Sequence, residues 1–179
     1  MDYAKAFHLV AKAFKKATVP CVLVGGFAIN FYRVTRSTLD IDFLITKEDF
    51  VKIKKVLIAG GYAEEFITDV AVRFSNKKEA LDIDFMIVDD QTREKIVQDG
   101  KSVEIVGEKL VIPSINHLIA LKLHAIKCNQ KNRVWKDLPD IIRLVQMNHM
   151  DYKGKPFKEL CLKYGNHAIY RMIMEGCGG

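Results

Sequence analysis

Two stretches of the chain nearly copy one another: Leu39-Asp40-Ile41-Asp42-Phe43-Leu44-Ile45 and Leu81-Asp82-Ile83-Asp84-Phe85-Met86-Ile87. Each reads as a β-strand, with acids set into an apolar run and no turn residue to interrupt it. Successive strand side chains leave on opposite faces, so Asp40 and Asp42 emerge together, about 7 Å apart at Cα. Leu39, Ile41 and Phe43 then point the other way, towards a core. Two carboxylates that close repel each other unless a cation sits between them. If the second acidic strand lies beside the first, it supplies a third carboxylate. That carboxylate is Asp82 or Asp84, which share one face. A donor set of hard oxygens suits Mg²⁺, with Mn²⁺ as a substitute. Three such carboxylates are the protein half of a two-metal site for in-line displacement at phosphorus.

Upstream, Cys21-Val22-Leu23-Val24 is a short apolar strand, broken by Gly25-Gly26, and Phe27 to Tyr32 begins a helix. A glycine pair at such a junction lets backbone N–H groups approach a phosphate; a plain tight turn is the other reading. It is neither G-x-G-x-x-G nor followed by G-K-[ST]. Arg33, Arg36 and Thr38 precede Asp40, and arginine beside a metal–phosphate site can clamp a triphosphate.

Residues 2–17 form an amphipathic helix, with Tyr3, Phe7, Val10 and Phe14 at three- and four-residue steps. Pro20 prevents its continuation. Thr46-Lys47-Glu48-Asp49 opens a helix reaching about Ala59. Strands are expected over 70–75 and 81–88, a helix over 92–98, and strands over 102–106 and 109–112. After Pro113 the pattern is helical only: 115–128, a polar linker over 129–133, a helix opened by Asp137-Leu138-Pro139-Asp140 and reaching about Met147, then 155–163 and 166–175. The fold class is therefore mixed α/β. Residues 1–113 make a core, a small mixed sheet flanked by helices, and 114–179 make a helical C-terminal segment packed on it.

Lys122 falls in the middle of the apolar stripe made by Ile115, Leu118, Ile119 and Ile126. A lysine there requires an anion, either a phosphate or a carboxylate, or must snorkel to water. Asp137 is placed as a helix N-cap, with Asp140 near the helix's positive end.

The 179 residues are 49% apolar and 28% charged, enough to bury a core without staples. No 18-residue apolar run crosses a membrane, and the first residues lack a secretion signal. The four cysteines make no C-x-x-C pair, which reads as free thiols in a cytoplasmic protein. The formal charge of +6 favours anionic partners such as nucleotides, nucleic acid or phosphate. No arginine-rich tail or RNA-binding aromatic motif accompanies it.

Val24-Gly25-Gly26-Phe27-Ala28 followed by Arg36-Ser37-Thr38-Leu39-Asp40-Ile41-Asp42-Phe43 resembles the first motif of the nucleotidyltransferase superfamily. The likeness is greatest to small AbiEii-like, minimal, and aminoglycoside or lincosamide nucleotidyltransferases. It covers residues 22–88. Leu121-Lys122-Leu123-His124-Ala125 and Lys136-Asp137-Leu138-Pro139-Asp140 look like the later K-x-x-A and K-D-x-x-D segments. The resemblance implies a DNA polymerase beta-like fold. It implies Gly25 and Gly26 as a phosphate loop, with Gly-Gly where many members have Gly-Ser. Asp40 and Asp42 become metal ligands and Asp84 the late carboxylate. Arg36, Thr38 and Lys122 become nucleotide contacts, and Arg33, Lys136 and Asp137 are secondary candidates. The implied reaction moves a nucleoside monophosphate from an NTP to a small molecule, a tRNA end or a protein. A partner protein or second copy would complete the acceptor site. A non-catalytic nucleotide- or RNA-binding module, or a toxin–antitoxin component, is the alternative.

Overall fold

The structure is a computed structural model and describes residues 3–79 and 81–178. The two acidic stretches are adjacent strands, β2 (Asp40–Thr46) and β5 (Asp82–Val88) in chain order. They run parallel and in register, Ile41 opposite Ile83 and Phe43 opposite Phe85. The register follows from the repeat, since a one-residue slip would turn the acids into the core. The remaining strands are β1 (Val22–Leu23), β3 (Ala63–Ile67), β4 (Ala71–Ser75), β6 (Lys101–Ile105) and β7 (Glu108–Ile112). The sheet order is β3-β4-β5-β2-β1-β7-β6. β2–β5 and β1–β7 are parallel pairs and the others antiparallel, so the sheet is mixed.

Helices α1 (Tyr3–Ala17), α3 (Lys47–Ala59) and α4 (Asp90–Gln98) pack with this sheet. The predicted first helical residue, Asp2, lies outside the described residues. Phe7 and Phe14 of α1 are buried, and Phe14 and Phe43 have ring centroids 5.8 Å apart. Phe43 stacks on Phe85 at 5.9 Å. Burying each such ring contributes about 1.5–3 kcal/mol, and together they fix the sheet face opposite the aspartates. Leu39, predicted to point into the core, instead stands exposed just before β2. Thr46 caps α3 by accepting from the Asp49 N–H, as its sequence pattern predicts.

The sheet and these helices belong to one compact unit, the chain up to Ala28 and Ser37–Ser114. A second unit comprises Ile29–Arg36 and the chain from Ile115 onward. It holds α5 (Ile115–Cys128), α6 (Gln130–Met147), α7 (Lys155–Tyr164) and α8 (His167–Gly178). Its loop is closed by Asn30, which accepts from the Arg36 N–H and donates to the Arg36 carbonyl. Asn148 Nδ2 donates to the Tyr32 carbonyl at 2.8 Å. The basic excess is concentrated here. The second unit has thirteen Lys and Arg against five Asp and Glu, the first fifteen against seventeen.

α6 corrects the sequence reading. Residues 130–133 are helical rather than a linker, and the helix runs through Pro139. Proline costs the Trp135 carbonyl its helical donor. Pro139 and Trp135 both lie on the exposed face, Trp135 at 84% exposure, so water can serve that carbonyl. Asp137 and Asp140 are consequently mid-helix, and the N-cap reading of Asp137 fails.

Candidate functional site

The parallel register sets Asp40 beside Asp82 and Asp42 beside Asp84, all on the face away from the phenylalanines. Asp40, Asp42 and Asp84 each offer one oxygen, and the three atoms lie within 4.8 Å of one another. All three residues are half-buried. Converging oxygen donors of this kind fit a divalent ion of the magnesium or manganese kind. Asp82 is not part of that group. Its carboxyl is raised above the usual range, chiefly by burial; Arg73 pulls it the other way, while Glu65, Asp84 and Asp40 add to the rise.

The glycine turn borders this cluster. Gly25 has φ +63°, a region L side chains disfavour, and a Cβ there would stand 1.8 Å from Asp42 Oδ2. The Val24 N–H holds the turn to β2 by donating to the Asp42 carbonyl at 2.8 Å. A Cβ on Gly26 would press on Thr38, at 2.9 Å from its Cβ. Thr38 in turn donates its hydroxyl to Asp40 Oδ1. The helix predicted from Phe27 therefore starts at the glycines themselves, as α2 (Gly25–Phe31).

Arg73 also belongs to this cluster, and sequence reasoning missed it. In β4 its neighbours Val72 and Phe74 are buried, so by alternation Arg73 faces the aspartates, directly across from Asp84. Its guanidinium makes a fork, Nε to Asp84 Oδ1 at 2.7 Å and an Nη to Oδ2 at 2.6 Å. The same Nη is 3.8 Å from Asp40 Oδ2. These bonds raise the arginine's pKa further above its ordinary value, the pair with Asp84 first.

A family model described as uncharacterised nucleotidyltransferase matches residues 2–176, nearly the whole chain. The chain belongs to that family. Solved structures share its fold. The antibiotic-resistance factor ANT(2'')-Ia aligns with a TM-score of 0.61 at 16% identity, over 98% of this chain and 92% of its own. The lincosamide antibiotic adenylyltransferase LnuA aligns at 0.55 and 15%, over 81% of this chain and 97% of its own. An antigenic nucleotidyltransferase-like protein from Paracoccidioides brasiliensis aligns at 0.51 and 16%, over 81% and 76%. No curated protein matches the sequence. The mixed sheet, the three converging acids and the family together place the chain in the polymerase-beta-like nucleotidyltransferase superfamily.

The other predicted residues of this family member lie in its second unit. Lys122 is 9% exposed, and its ammonium donates to Asp137 Oδ1 at 2.7 Å and Asp140 Oδ2 at 2.8 Å. Arg36 donates to the same Asp140 Oδ2 at 2.6 Å. The anion that Lys122 requires is thus a pair of carboxylates one helical turn apart on α6. Both aspartates are 3% exposed, and Asp137 Oδ2 has no hydrogen-bond donor. Arg33 and Lys136 are exposed, Arg33 in a turn with φ +62°.

Proposed function

We propose that this chain transfers a nucleoside monophosphate from an NTP to a hydroxyl or other nucleophile of an acceptor, releasing pyrophosphate. The convergence of the Asp40, Asp42 and Asp84 oxygens supports it most. In this reading Asp40 and Asp42 hold a divalent ion, Mg²⁺ or Mn²⁺, and Asp84 completes a second position. A bound ion would withdraw charge from the phosphate oxygens and acidify the attacking hydroxyl. Asp84 accepts the proton lost by that hydroxyl as its oxygen bonds to the α-phosphorus and the bond to pyrophosphate breaks. Both Asp84 oxygens accept from Arg73 in the nucleotide-free protein, so Asp84 takes this role once that fork opens.

Gly25 and Gly26 present bare backbone beside Asp42 and would admit the phosphates, with Thr38 fixing Asp40. Arg36 and Lys122 already hold carboxylates. They serve phosphate only by exchanging those partners, with Arg33, Lys136 and Asp137 secondary. The fold shared with a lincosamide antibiotic adenylyltransferase puts ATP and a small-molecule hydroxyl first among substrates to test. A tRNA end or a protein follows, with a partner chain or second copy completing the acceptor site. The four free cysteines suit a reducing compartment, which supports a cytoplasmic location; no helix among the described residues is long and apolar enough to cross a membrane.

The second unit's basic excess favours one other reading, a nucleotide- or RNA-binding module or toxin–antitoxin component without catalysis. The two separate in one experiment, incubation with each labelled NTP and cell lysate, with Mg²⁺ or a chelator. Label transfer that requires Mg²⁺ and disappears in Asp42→Asn supports the enzyme. Unchanged transfer in Asp42→Asn rejects it. Salt-sensitive RNA binding indifferent to chelator, with no transfer, supports the module.

A further inference from the structure

We propose that Arg73 occupies the place of a second divalent ion, so that the nucleotide-free protein binds one such ion instead of two. The inference rests on the metal-site assignment above and concerns how that site is filled. The guanidinium bridges two of the three candidate ligands: both oxygens of Asp84 are engaged by its fork, and Asp40 Oδ2 is 3.8 Å from the same Nη. A bridging cation between these carboxylates is what a second metal would be. Arginine cannot lose its proton in any ordinary buffer, so this cation is permanent.

The placement is built into the sheet. Arg73 and Asp84 are cross-strand partners in β4 and β5, and Val72 and Phe74 anchor β4 in the core on either side. A divalent ion bridging Asp84 and Asp40 would lie within a few ångströms of the guanidinium, where like charges repel strongly outside bulk water. Asp40 and Asp42 each contribute an oxygen to the converging group, and that pair would hold a first ion. The Arg73 side chain is 41% exposed and can move into solvent. Displacing it from Asp84 is then a separate step, one that a metal–triphosphate could drive by offering its own oxygens to the freed fork.

The test is a Mn²⁺ titration of the whole chain without nucleotide, following free Mn²⁺ by electron paramagnetic resonance. Wild type should bind one ion. Arg73→Gln should bind two, the first at least tenfold more tightly. Arg73→Met, which keeps an aliphatic stem in β4, should do the same, so the outcome does not hang on one variant's folding. Arg73→Lys, which keeps a cation, should bind one. In an Asp84→Asn background, removing Arg73 should add no second ion. If Arg73→Gln and Arg73→Met match wild type in number and within twofold in affinity, Arg73 is no such counter-ion, and the metal site itself stands. If neither wild type nor these variants take up Mn²⁺ at millimolar concentration, both the counter-ion and the metal site are refuted.

Discussion

The two carboxylate clusters of this molecule use the same residues to opposite ends. In the first unit four aspartates on adjacent strands face one guanidinium, half-buried and strongly negative. In the second, Asp137 and Asp140 meet Lys122 and Arg36 in a buried set of two negative and two positive groups. A balanced, sealed cluster has nothing to gain from a further ion. An unbalanced, open one does, and the cost of keeping its acids together falls when a cation arrives. The difference separates a place where chemistry can occur from a place where a helix pair is held in register.

The largest effect should come from breaking the open cluster. Asp42→Asn removes a ligand of the proposed ion, which would supply several kcal/mol of transition-state stabilisation, so transfer from labelled NTP should fall roughly 10³-fold. Its melting temperature should change little, because the residue is half-buried and not part of the core. Breaking the sealed cluster should do the reverse. Lys122→Met strands Asp137 and Asp140 without their ammonium, and loss of one partner of a buried pair costs about 3–5 kcal/mol. Differential scanning calorimetry should show a fall of roughly 10 °C.

Gly25→Ala tests the contact between the glycine turn and Asp42. The added methyl must displace the carboxylate and adopt a strained φ, at about 1–3 kcal/mol. Transfer activity should drop by more than tenfold, with a destabilisation smaller than that of Lys122→Met. The smallest effect is expected at Asp82. Its raised pKa means that the folded state disfavours its charged form, a penalty present at neutral pH and lost as pH falls through that pKa. Asp82→Asn should therefore raise the melting temperature slightly at pH 7, with the gain vanishing towards pH 3. A gain that grows on acidification would contradict the burial assignment.

The doubled acidic strand was legible because period-two alternation and a repeated apolar frame leave one register that buries the phenylalanines. That register carries Asp84 to Asp42 as a by-product. Arg73 was not legible: a lone arginine in a short alternating strand says nothing until β4 is known to pair with β5. β3 escaped because Ala63-Glu64-Glu65-Phe66-Ile67 is an exposed edge with no alternation to signal it. Leu39 looked like a core residue because it alternates with Ile41 and Phe43, yet it stands exposed before β2, whereas Leu81 at the same place before β5 is buried. On α6 the polar run 129–133 and Pro139 both suggested a late start. Only the solvent exposure of the proline's face explains why the helix tolerates it.

That same exposed face carries Trp135, the chain's sole indole. Its intrinsic emission should resemble that of hydrated tryptophan and be fully accessible to acrylamide quenching. Any event that covers this stretch of α6 would announce itself as a blue shift without an added dye.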